Sequence, residues 1–337
     1  LIGRNAGGAI NSTDANGTVA VGYGALIALT DGQQNVAMGY NAGNEITTGD
    51  KNTVIGYEAG SELKDDLNNT FLGSYAGYNV ESDENTFIGV EAGEGSSGNT
   101  TGGQNTAVGY RSMESYTTAN KNVAVGDAAL QLNTTGNQNV HLGFRAGQYN
   151  TVGANMVVIG TEAGRYATGS HNTFVGKGAG KGGTTSAPYS TGGYNTAVGS
   201  LALDAFTSGY QNVAVGYQAA TDLTTAYYGT YIGMQAGQNV TSGNTNTFIG
   251  WQSGNAVTDT SNKVAIGYRA GYADGGEMDV HIGYEAGRNV TAGDNVSIGR
   301  AAGQGYHGVS QTEFQANTTN RYNVSIGNFA GQRAIGT

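Results

Sequence analysis

One glycine-rich segment has a pattern that could bind a nucleotide. Residues 178–183 read G-A-G-K-G-G and match the G-x-G-x-x-G turn of dinucleotide-binding proteins. That turn requires a strand before it, a helix after it and an acidic residue further along the chain. Here Ala179 and Gly180 are ordinary positions of a short repeat that fills the sequence. We therefore expect no nucleotide site in this segment.

Four histidines could act as metal ligands or as general acids and bases. No two of them have the spacing of a zinc site. His141 and His281 occupy a variable position of the repeat, His171 lies in a predicted turn and His307 in a long predicted loop. We expect His141 and His281 to be half-exposed. An alternative is that three copies of His141 meet at a three-fold axis and hold an ion.

Acidic residues are scattered along the chain. They include Asp65, Asp66, Asp222, Asp259, Asp274, Asp279 and Asp294. The calcium-binding nonapeptide G-G-x-G-x-D does not recur, although isolated calcium sites stay open. No carboxylate pair or Ser/His/Asp set stands out. We predict no catalytic, cofactor-binding or metal-binding residues, no cofactor and no enzymatic activity. The alternative is a glycan-cleaving enzyme with two carboxylates on one face of the fold.

The composition excludes several classes of protein. The net charge is −10 and no cluster of Lys and Arg is present, so neither nucleic acid nor an anionic membrane surface is an expected partner. No apolar run approaches the roughly 20 residues that a membrane-spanning helix needs. Glycine supplies 59 of 337 residues and proline only one, which excludes collagen.

A short repeat organises the whole sequence. Its anchor is a glycine that follows Val, Ile, Leu or Met, and it occurs nineteen times, most often 17 residues apart. The anchors are Gly3, Gly22, Gly39, Gly56, Gly73, Gly89, Gly109, Gly126, Gly143, Gly160, Gly176, Gly199, Gly216, Gly233, Gly250, Gly267, Gly283, Gly299 and Gly327. We call each copy a rung and number its positions from the anchor as position 0.

The residues before the anchor predict a short strand. Position −1 is apolar in every rung and position −3 is Val or Thr, whereas position −2 varies. Such period-two alternation is the signature of a strand. We expect −1 and −3 to point into the core and −2 to point outward. Position −4 is Asn in most rungs, which predicts a stacked Asn ladder.

The residues at and after the anchor predict the corners of a rung. The anchor itself is expected to need a positive φ or a close backbone approach. Position +3 is always Ala or Ser, which indicates a tight inner corner. Position +4 is Gly in most rungs, and its exceptions are Leu26, Met113, Leu130, Leu203 and Ala220.

A rung of 16–17 residues with one strand cannot bury its own face, but stacked rungs cover one another. The predicted fold class is therefore all-β, a parallel β-solenoid of about nineteen rungs. We interpret residues 1–337 as a single repetitive segment of a longer chain. The anchor spacings further indicate sub-blocks of about five rungs, 18–104, 105–194 and 195–337. Loop insertions at 94–104, 181–194 and 304–322 account for the longest spacings.

Aromatic residues form two broken rows. One row follows the anchor at +1 and contains Tyr23, Tyr40, Tyr57, Tyr110, Phe144, Tyr217, Trp251, Tyr268 and Tyr284. It either packs along the ladder or against neighbouring chains, or offers a surface on which sugars stack. The other row occupies −2 and contains Phe71, Phe87, Phe174, Tyr231 and Phe248. Because we expect −2 to point outward, this row predicts a partner chain that covers it.

The rungs resemble the β-roll head repeats of YadA-like trimeric autotransporter adhesins. They are also similar to the N-T-A-x-G-Y-x-A-G arrays of phage and bacterial tail-fibre proteins. The matching stretches are 52–60, 105–110 and 212–217, and the resemblance spans nearly the whole chain. It implies a left-handed β-roll packed as a homotrimeric fibre. The rungs here are longer than the adhesin repeat.

We therefore expect a structural extracellular fibre or adhesin shaft, on a virion or a bacterial surface, that gives a stiff rod with surface loops for attachment. The expected partners are copies of itself, as a homotrimer or also end to end in a filament, and cell-surface glycans or receptors. The alternatives are a fibre-borne tailspike enzyme and an ice-binding solenoid. Ice binding needs a flat, regular Thr array, and an inward −3 position that mixes Thr with Val disfavours it.

Overall fold

The computed structural model describes residues 1–10, 15–96, 100–183, 186, 189–305 and 321–331. The chain falls into two compact units, Leu1–His171 and Asn172–Thr337. Each unit is a parallel β-solenoid, and the described residues of both form strands and turns without a helix. The predicted fold class is confirmed. Within those ranges, no helix has the length and apolar character needed to span a membrane.

Each strand has three residues and spans positions −3 to −1 of its rung. The strands of the first unit are β1 (Val19–Val21), β2 (Val36–Met38), β3 (Thr53–Ile55), β4 (Thr70–Leu72), β5 (Thr86–Ile88), β6 (Thr106–Val108), β7 (Val123–Val125), β8 (Val140–Leu142) and β9 (Val157–Ile159). Those of the second unit are β10 (Thr173–Val175), β11 (Thr196–Val198), β12 (Val213–Val215), β13 (Thr230–Ile232), β14 (Thr247–Ile249), β15 (Val264–Ile266), β16 (Val280–Ile282), β17 (Val296–Ile298) and β18 (Val324–Ile326). Successive strands within a unit pair in parallel with equivalent positions opposite each other, as Phe71 lies opposite Phe87. Before β1, Ile2 bridges Val21, so the rung of Gly3 joins the same stack.

Buried and exposed side chains alternate along each strand as predicted, but the buried positions are the ones that were expected to be exposed. From β1 to β17 the central residue, at −2, is buried, whereas −3 and −1 are half-buried or exposed. Val54, for example, is fully buried between the half-buried Thr53 and Ile55. The expectation that −1 and −3 face the core was wrong. β-branched side chains suit either face of a pleated sheet. The constant Val or Thr at −3 therefore shows that these residues lie on one face, but it does not show whether that face is the core.

The core contains two positions that share one volume, −2 and +4. Rungs with Phe at −2 have Gly at +4, and a Cβ added to Gly254 would lie 2.4 Å from the ring of Phe248. The five rungs without Gly at +4 all have Ala at −2. Leu130 and Ala124, which belong to one such rung, are both fully buried. Except in the rung of Gly216, which has Ala214 and Ala220 at the two positions, each of these rungs therefore places one large side chain in the core, at −2 or at +4, and protein interiors require such close packing.

The predicted Asn ladder at −4 is confirmed. Along the ladder, Oδ1 accepts a hydrogen bond from the backbone N–H of the next rung, at 2.9 Å between Asn35 and Asn52. Nδ2 donates to a turn carbonyl of its own rung, as Asn52 does to Asp66 at 2.7 Å. Asn52 is fully buried, so these bonds replace its bonds to water. The ladder links each rung to the next and also closes each rung on itself.

The corner predictions are also confirmed. All nineteen anchors have φ between +124° and +147°, a region that favours glycine. A Cβ on Gly56 would lie 2.2 Å from the carbonyl oxygen of Gly73 in the next rung. The Ala or Ser at +3 is fully buried in every rung from Ala25 to Ala302.

Three expectations about organisation stay predictions: the five-rung sub-blocks, the hand of the solenoid and the trimer. Parts of the insertions lie outside the described residues, namely 97–99, 184–185, 187–188 and 306–320. His307 is among them. In the first insertion, Thr100 forms a parallel bridge with Val80, so the described chain returns to the stack there.

Candidate functional site

Both histidines at −2 are buried, which contradicts the half-exposed placement expected for them. His141 and His281 are 0% and 1% exposed and point into the core of their own units. His171 is exposed, with a φ of +62°. Because −2 faces inward, three copies of His141 cannot meet on an axis between chains. The alternative of an ion held by three copies of His141 was therefore wrong.

His141 is a neutral core residue. Among the described residues, neither of its ring nitrogens has a hydrogen-bond partner of normal geometry. Burial lowers the pKa of His141 to about 3, and the nearby backbone of Ala146 offsets only part of that effect. The ring fills the volume next to Gly147 at +4, where an added Cβ would lie 1.9 Å from Nδ1. His141 therefore occupies the core as Phe does in other rungs.

The glycine-rich segment 178–183 belongs to the solenoid. It follows β10, and no helix follows it in the described part of the chain. A Cβ on Gly180 would lie 2.4 Å from the ring of Phe174, and one on Gly183 would lie 2.3 Å from the carbonyl oxygen of Ala205. These glycines are explained by neighbouring core and backbone atoms, without a nucleotide.

Three exposed tyrosines at +1 stack on one another in the first unit. The ring centroids of Tyr23, Tyr40 and Tyr57 are 5.2 Å apart, with interplanar angles of 10° and 8°. Tyr75 contacts Tyr57 edge-on at 5.3 Å. Both faces of Tyr40 are covered by its neighbours, so the stack presents ring edges to solvent. Here the geometry favours packing along the ladder over sugar stacking, since a sugar stacks on a ring face.

The outer face of the sheet, formed by the rows at −1 and −3, is a regular exposed surface in each unit. In strands β1 to β18 these rows contain only Val, Ile, Leu, Met and Thr. Met38 and Leu72 are 42% and 45% exposed. The aromatic residues at −2 are buried, so the predicted partner-covered aromatic row was wrong. The apolar surface lies one residue to either side, and contiguous surfaces of this kind mark interaction sites.

A group of acidic side chains lies on the surface of the first unit. Glu91, Glu94 and Glu114 place carboxylate oxygens within 4.8 Å of one another. Arg111 forms ion pairs with Glu91 and, at 3.6 Å, with Glu114. Burial raises the pKa of Glu94, and its two acidic neighbours raise it further. Because Arg111 supplies the positive charge among these carboxylates, we assign them neither a cation nor a catalytic role.

A second polar group is enclosed in the second unit, and we call it the buried ionic cluster: Lys263, Asp274, Asp279 and His281. Each is 2% exposed or less. The Nζ atom of Lys263 lies 2.8 Å from Oδ2 of Asp274 and donates to the backbone oxygen of Asp274 at 2.6 Å. Nε2 of His281 lies 3.1 Å from the same Oδ2. The N–H of Gly276 donates to Oδ1 of Asp274 at 3.0 Å.

The buried ionic cluster interrupts the Asn ladder. Lys263 and Asp279 occupy −4 in consecutive rungs. Asp279 keeps the acceptor role of the ladder, because its Oδ1 accepts from the N–H of Asn295 at 2.7 Å. Its Oδ2 has no partner among the described residues. A carboxylate cannot donate to the turn as the Asn amide does in other rungs.

The rung of Gly267 makes room for these side chains. It has Ala265 at −2 and Gly271 at +4, so neither core position carries a large side chain. A Cβ on Gly271 would lie 3.3 Å from Cδ2 of His281 and 3.8 Å from Cβ of Asp274. Polar side chains therefore fill the volume that a Phe or Leu fills elsewhere.

Burial determines the charge states in the cluster. It lowers the pKa of Lys263, and the charge of Asp274 offsets only part of this effect. Burial would raise the pKa of Asp274, but the contacts with His281 and Lys263 outweigh it and hold that pKa below its ordinary value. Burial and the charge of Asp274 raise the pKa of Asp279 to about 7. The contacts therefore favour the carboxylate of Asp274, and the pKa of Asp279 at about 7 divides its carboxyl group between acid and base forms near neutral pH.

The cluster fits neither a metal centre nor a glycosidase site. Asp274, Asp279 and His281 do place potential ligand atoms within 4.8 Å of one another. However, the ammonium group of Lys263 already supplies the positive charge among them. Burial also keeps a polysaccharide away from both aspartates. In the sequence these aspartates are scattered, and the signal that could have found them is two opposite charges at −4 in consecutive rungs.

Comparison with protein-family models and with curated proteins gave no match to this chain.

Proposed function

We propose that this chain is a structural segment of an extracellular fibre or adhesin shaft, on a virion or a bacterial surface, in which copies of the chain pack side by side. The observation that carries this proposal is the outer face of the sheet. Its −1 and −3 rows are uncharged in strands β1 to β18, and −1 is apolar throughout. A face of this composition is stabilised when a partner removes it from water.

The period of the outer face favours a second copy of the chain as the partner. Parallel strands repeat at about 4.8 Å, so the face repeats its side chains at that spacing along each unit. A partner with the same period matches it at every rung, and a second copy has that period. The resemblance to trimeric fibres favours three copies. Surface loops would then supply the contacts with cell-surface glycans or receptors.

The proposal is tested by placing charges on the outer face. The variant Met38→Lys/Ile55→Lys/Leu72→Lys introduces three charges at −1 in consecutive rungs. We expect it to fold, because these side chains are half-buried or exposed, and to weaken self-association by about 100-fold or more, since like charges would meet across the interface. Analytical ultracentrifugation measures the association, and far-UV circular dichroism measures the fold.

The matched control adds three lysines at exposed positions outside the −1 and −3 rows. Gln34, Asn68 and Gln138 occupy the exposed −5 position, where Lys51 and Lys121 occur naturally. The variant Gln34→Lys/Asn68→Lys/Gln138→Lys should associate like the wild type. A wild-type chain that stays monomeric at micromolar concentration, or equal association of both variants, would contradict the proposal.

Ice binding is a second candidate, because the outward orientation of −3 removes one objection to it. Thr53, Thr70, Thr86 and Thr106 form four consecutive −3 positions on the outer face. Val occupies −3 in the remaining strands of the first unit, so the Thr array is short. Thermal hysteresis of the wild type, measured below the concentration at which it self-associates, distinguishes the two functions, since an ice-binding face would lower the freezing point without self-association.

A further inference from the structure

The buried ionic cluster places an amine and a carboxyl group in contact where water is excluded. Nζ of Lys263 is 2.8 Å from Oδ2 of Asp274, and the two side chains are 2% and 1% exposed. The neutral pair, amine and carboxylic acid, has the same atoms as the ion pair and differs from it by one proton moved along this contact. Burial favours the neutral amine of Lys263, whereas the contacts of Asp274 with His281 and Lys263 favour its carboxylate, so the neutral pair is a minor form from which the reaction starts. The groups are therefore held ready for reaction rather than brought together by diffusion.

We propose that Lys263 and Asp274 condense within the folded chain to form an isopeptide bond, with Asp279 as the group that moves the proton. The bond would join Nζ of Lys263 to Cγ of Asp274 and release one water molecule. It lies inside one chain, so this inference does not rest on the proposed self-association.

The other members of the cluster are placed to assist each part of the condensation. When neutral Nζ attacks Cγ, negative charge develops on Oδ1 of Asp274, and the N–H of Gly276 already donates to that oxygen at 3.0 Å. Nε2 of His281, 3.1 Å from Oδ2, orients the oxygen that leaves. One C–N bond forms and the bond from Cγ to Oδ2 breaks.

Asp279 completes the proton balance. Its carboxylate takes a proton from the attacking nitrogen and returns it to Oδ2, which already carries the proton of the acid and leaves as water. Asp279 has an oxygen within 4.8 Å of the Asp274 carboxylate and an unpartnered Oδ2. Burial and Asp274 raise its pKa to about 7, so it can both accept and donate a proton near neutral pH.

The position of the bond gives it a structural role. In other rungs, the Asn at −4 closes the rung by a hydrogen bond to a turn carbonyl, as between Asn246 and Thr260 at 2.9 Å. Lys263 at −4 closes its rung on Asp274 instead, and condensation would make that closure covalent. The chain has no cysteine, so no disulfide can serve this purpose. A covalently closed rung resists unravelling of the stack under tension.

Mass spectrometry of the intact, denatured chain tests the proposal. We expect the wild type to be one water lighter than its sequence mass, and trypsin to yield a branched peptide containing Lys263 and Asp274. The variant Lys263→Arg keeps the positive charge but has no amine that can condense, and should have the full sequence mass. A folded wild type at full mass would overturn the proposal.

Two controls exclude other losses of water. Asp274 precedes Gly275, and a succinimide there would also remove one water. The mass loss from a succinimide would persist in Lys263→Arg and would disappear on treatment with hydroxylamine. A mass loss with these two properties would overturn the proposal. Lys64 lies 2.9 Å from Glu81 in an exposed pair, and the same digest should show these two residues unlinked. Linkage of that pair would show that contact alone suffices, which contradicts the role given to burial.

The variant Asp279→Asn tests the proton transfer separately from the fold. Asn is the usual residue at −4, so the ladder is restored and far-UV circular dichroism should match the wild type. We expect condensation, followed by intact mass after refolding, to be slower by about 100-fold or more without the carboxylate. Condensation at the wild-type rate would contradict the role of Asp279.

Discussion

His141 and His281 occupy the same position of the repeat but differ in chemistry. Both are buried at −2 beside a Gly at +4. His281 contacts Asp274 through Nε2, whereas neither nitrogen of His141 has a partner among the described residues. A buried polar atom without a partner costs about 1–3 kcal/mol. The neighbouring residues, rather than the repeat position, therefore decide the role of a buried histidine. His281 takes part in a polar contact, whereas His141 only fills volume in the core.

His141→Phe should make the first unit less sensitive to acid. The pKa of His141 is about 3 when folded and about 6.5 when unfolded, so between these values the unfolded chain binds more protons. The unfolding free energy therefore falls as pH falls from about 6.5 to about 3, by roughly 3–5 kcal/mol from this residue. The variant should lose that contribution. Urea denaturation at a series of pH values measures it.

The control for this prediction is His171→Gln, which changes an exposed histidine in the same unit. It separates the effect of burying the His141 ring from the effect of removing a histidine. If His141→Phe and the wild type lose stability equally between pH 6.5 and pH 3, His141 is not the neutral core residue described here.

The large core side chain of a rung can stand at either −2 or +4, while the backbone conformation stays the same. Leu130 adopts a φ of +52° at +4, close to the +57° of Gly254 at the same position. Positive φ is uncommon for leucine, and burial of its side chain offsets the strain. The rung therefore accepts either Phe with Gly, as for Phe248 and Gly254, or Ala with Leu, as for Ala124 and Leu130.

A double-mutant cycle at Phe248 and Gly254 tests this exchange. Phe248→Ala should lower the unfolding free energy by about 3–5 kcal/mol, because it leaves a cavity. Gly254→Leu should also destabilise, because its Cβ would lie 2.4 Å from the Phe248 ring. The double variant should recover at least half of the summed loss, a coupling of about 2–3 kcal/mol. Additive losses in chemical denaturation would contradict the shared volume.

Each unit repeats one contact pattern, in which a strand pairs with the strands of adjacent rungs of the same unit. Within the first unit, Val123 lies opposite Val140, 17 residues later, and Asn122 accepts from Asn139 through the ladder at 2.9 Å. A stack of this type is quasi-one-dimensional, so its stability is close to a sum of rung and neighbour contributions. Removal of one entire rung should therefore preserve every remaining kind of contact.

Deletion of Val123–Asn139 removes one complete period and joins Asn122 to Val140 in register. We expect this variant to keep the wild-type far-UV circular dichroism spectrum per residue and a cooperative melt within about 5 °C of the wild type. Deletion of Val123–Gln131 removes β7 but leaves residues 132–139 as an incomplete rung between β6 and β8, so it should lower the melting temperature by clearly more than about 5 °C. Equal melting of the two deletions would contradict the register described here.

The sequence by itself determined the period, the strand at each anchor, the Asn ladder and the small inner corner. These follow from local chemistry, since Gly56 needs its positive φ and an Asn at −4, such as Asn52, bonds backbone groups of its own and the next rung in most rungs. The orientation of the strand faces was also encoded, in the pairing of Ala at −2 with Leu26, Met113, Leu130, Leu203 and Ala220 at +4. That pairing identifies −2 as the buried position only once −2 and +4 are known to occupy the same part of the core.

Only the tertiary structure decided which face is the core and which charged residues meet. A period of two is the same for either face, so Ile55 and Val54 could each have been the inward residue. The path of the turn brings Asp274 back to Lys263 and the next rung adds Asp279 and His281, although these residues are separated in sequence. Their contact depends on how the chain closes each rung, which local residue preferences do not specify.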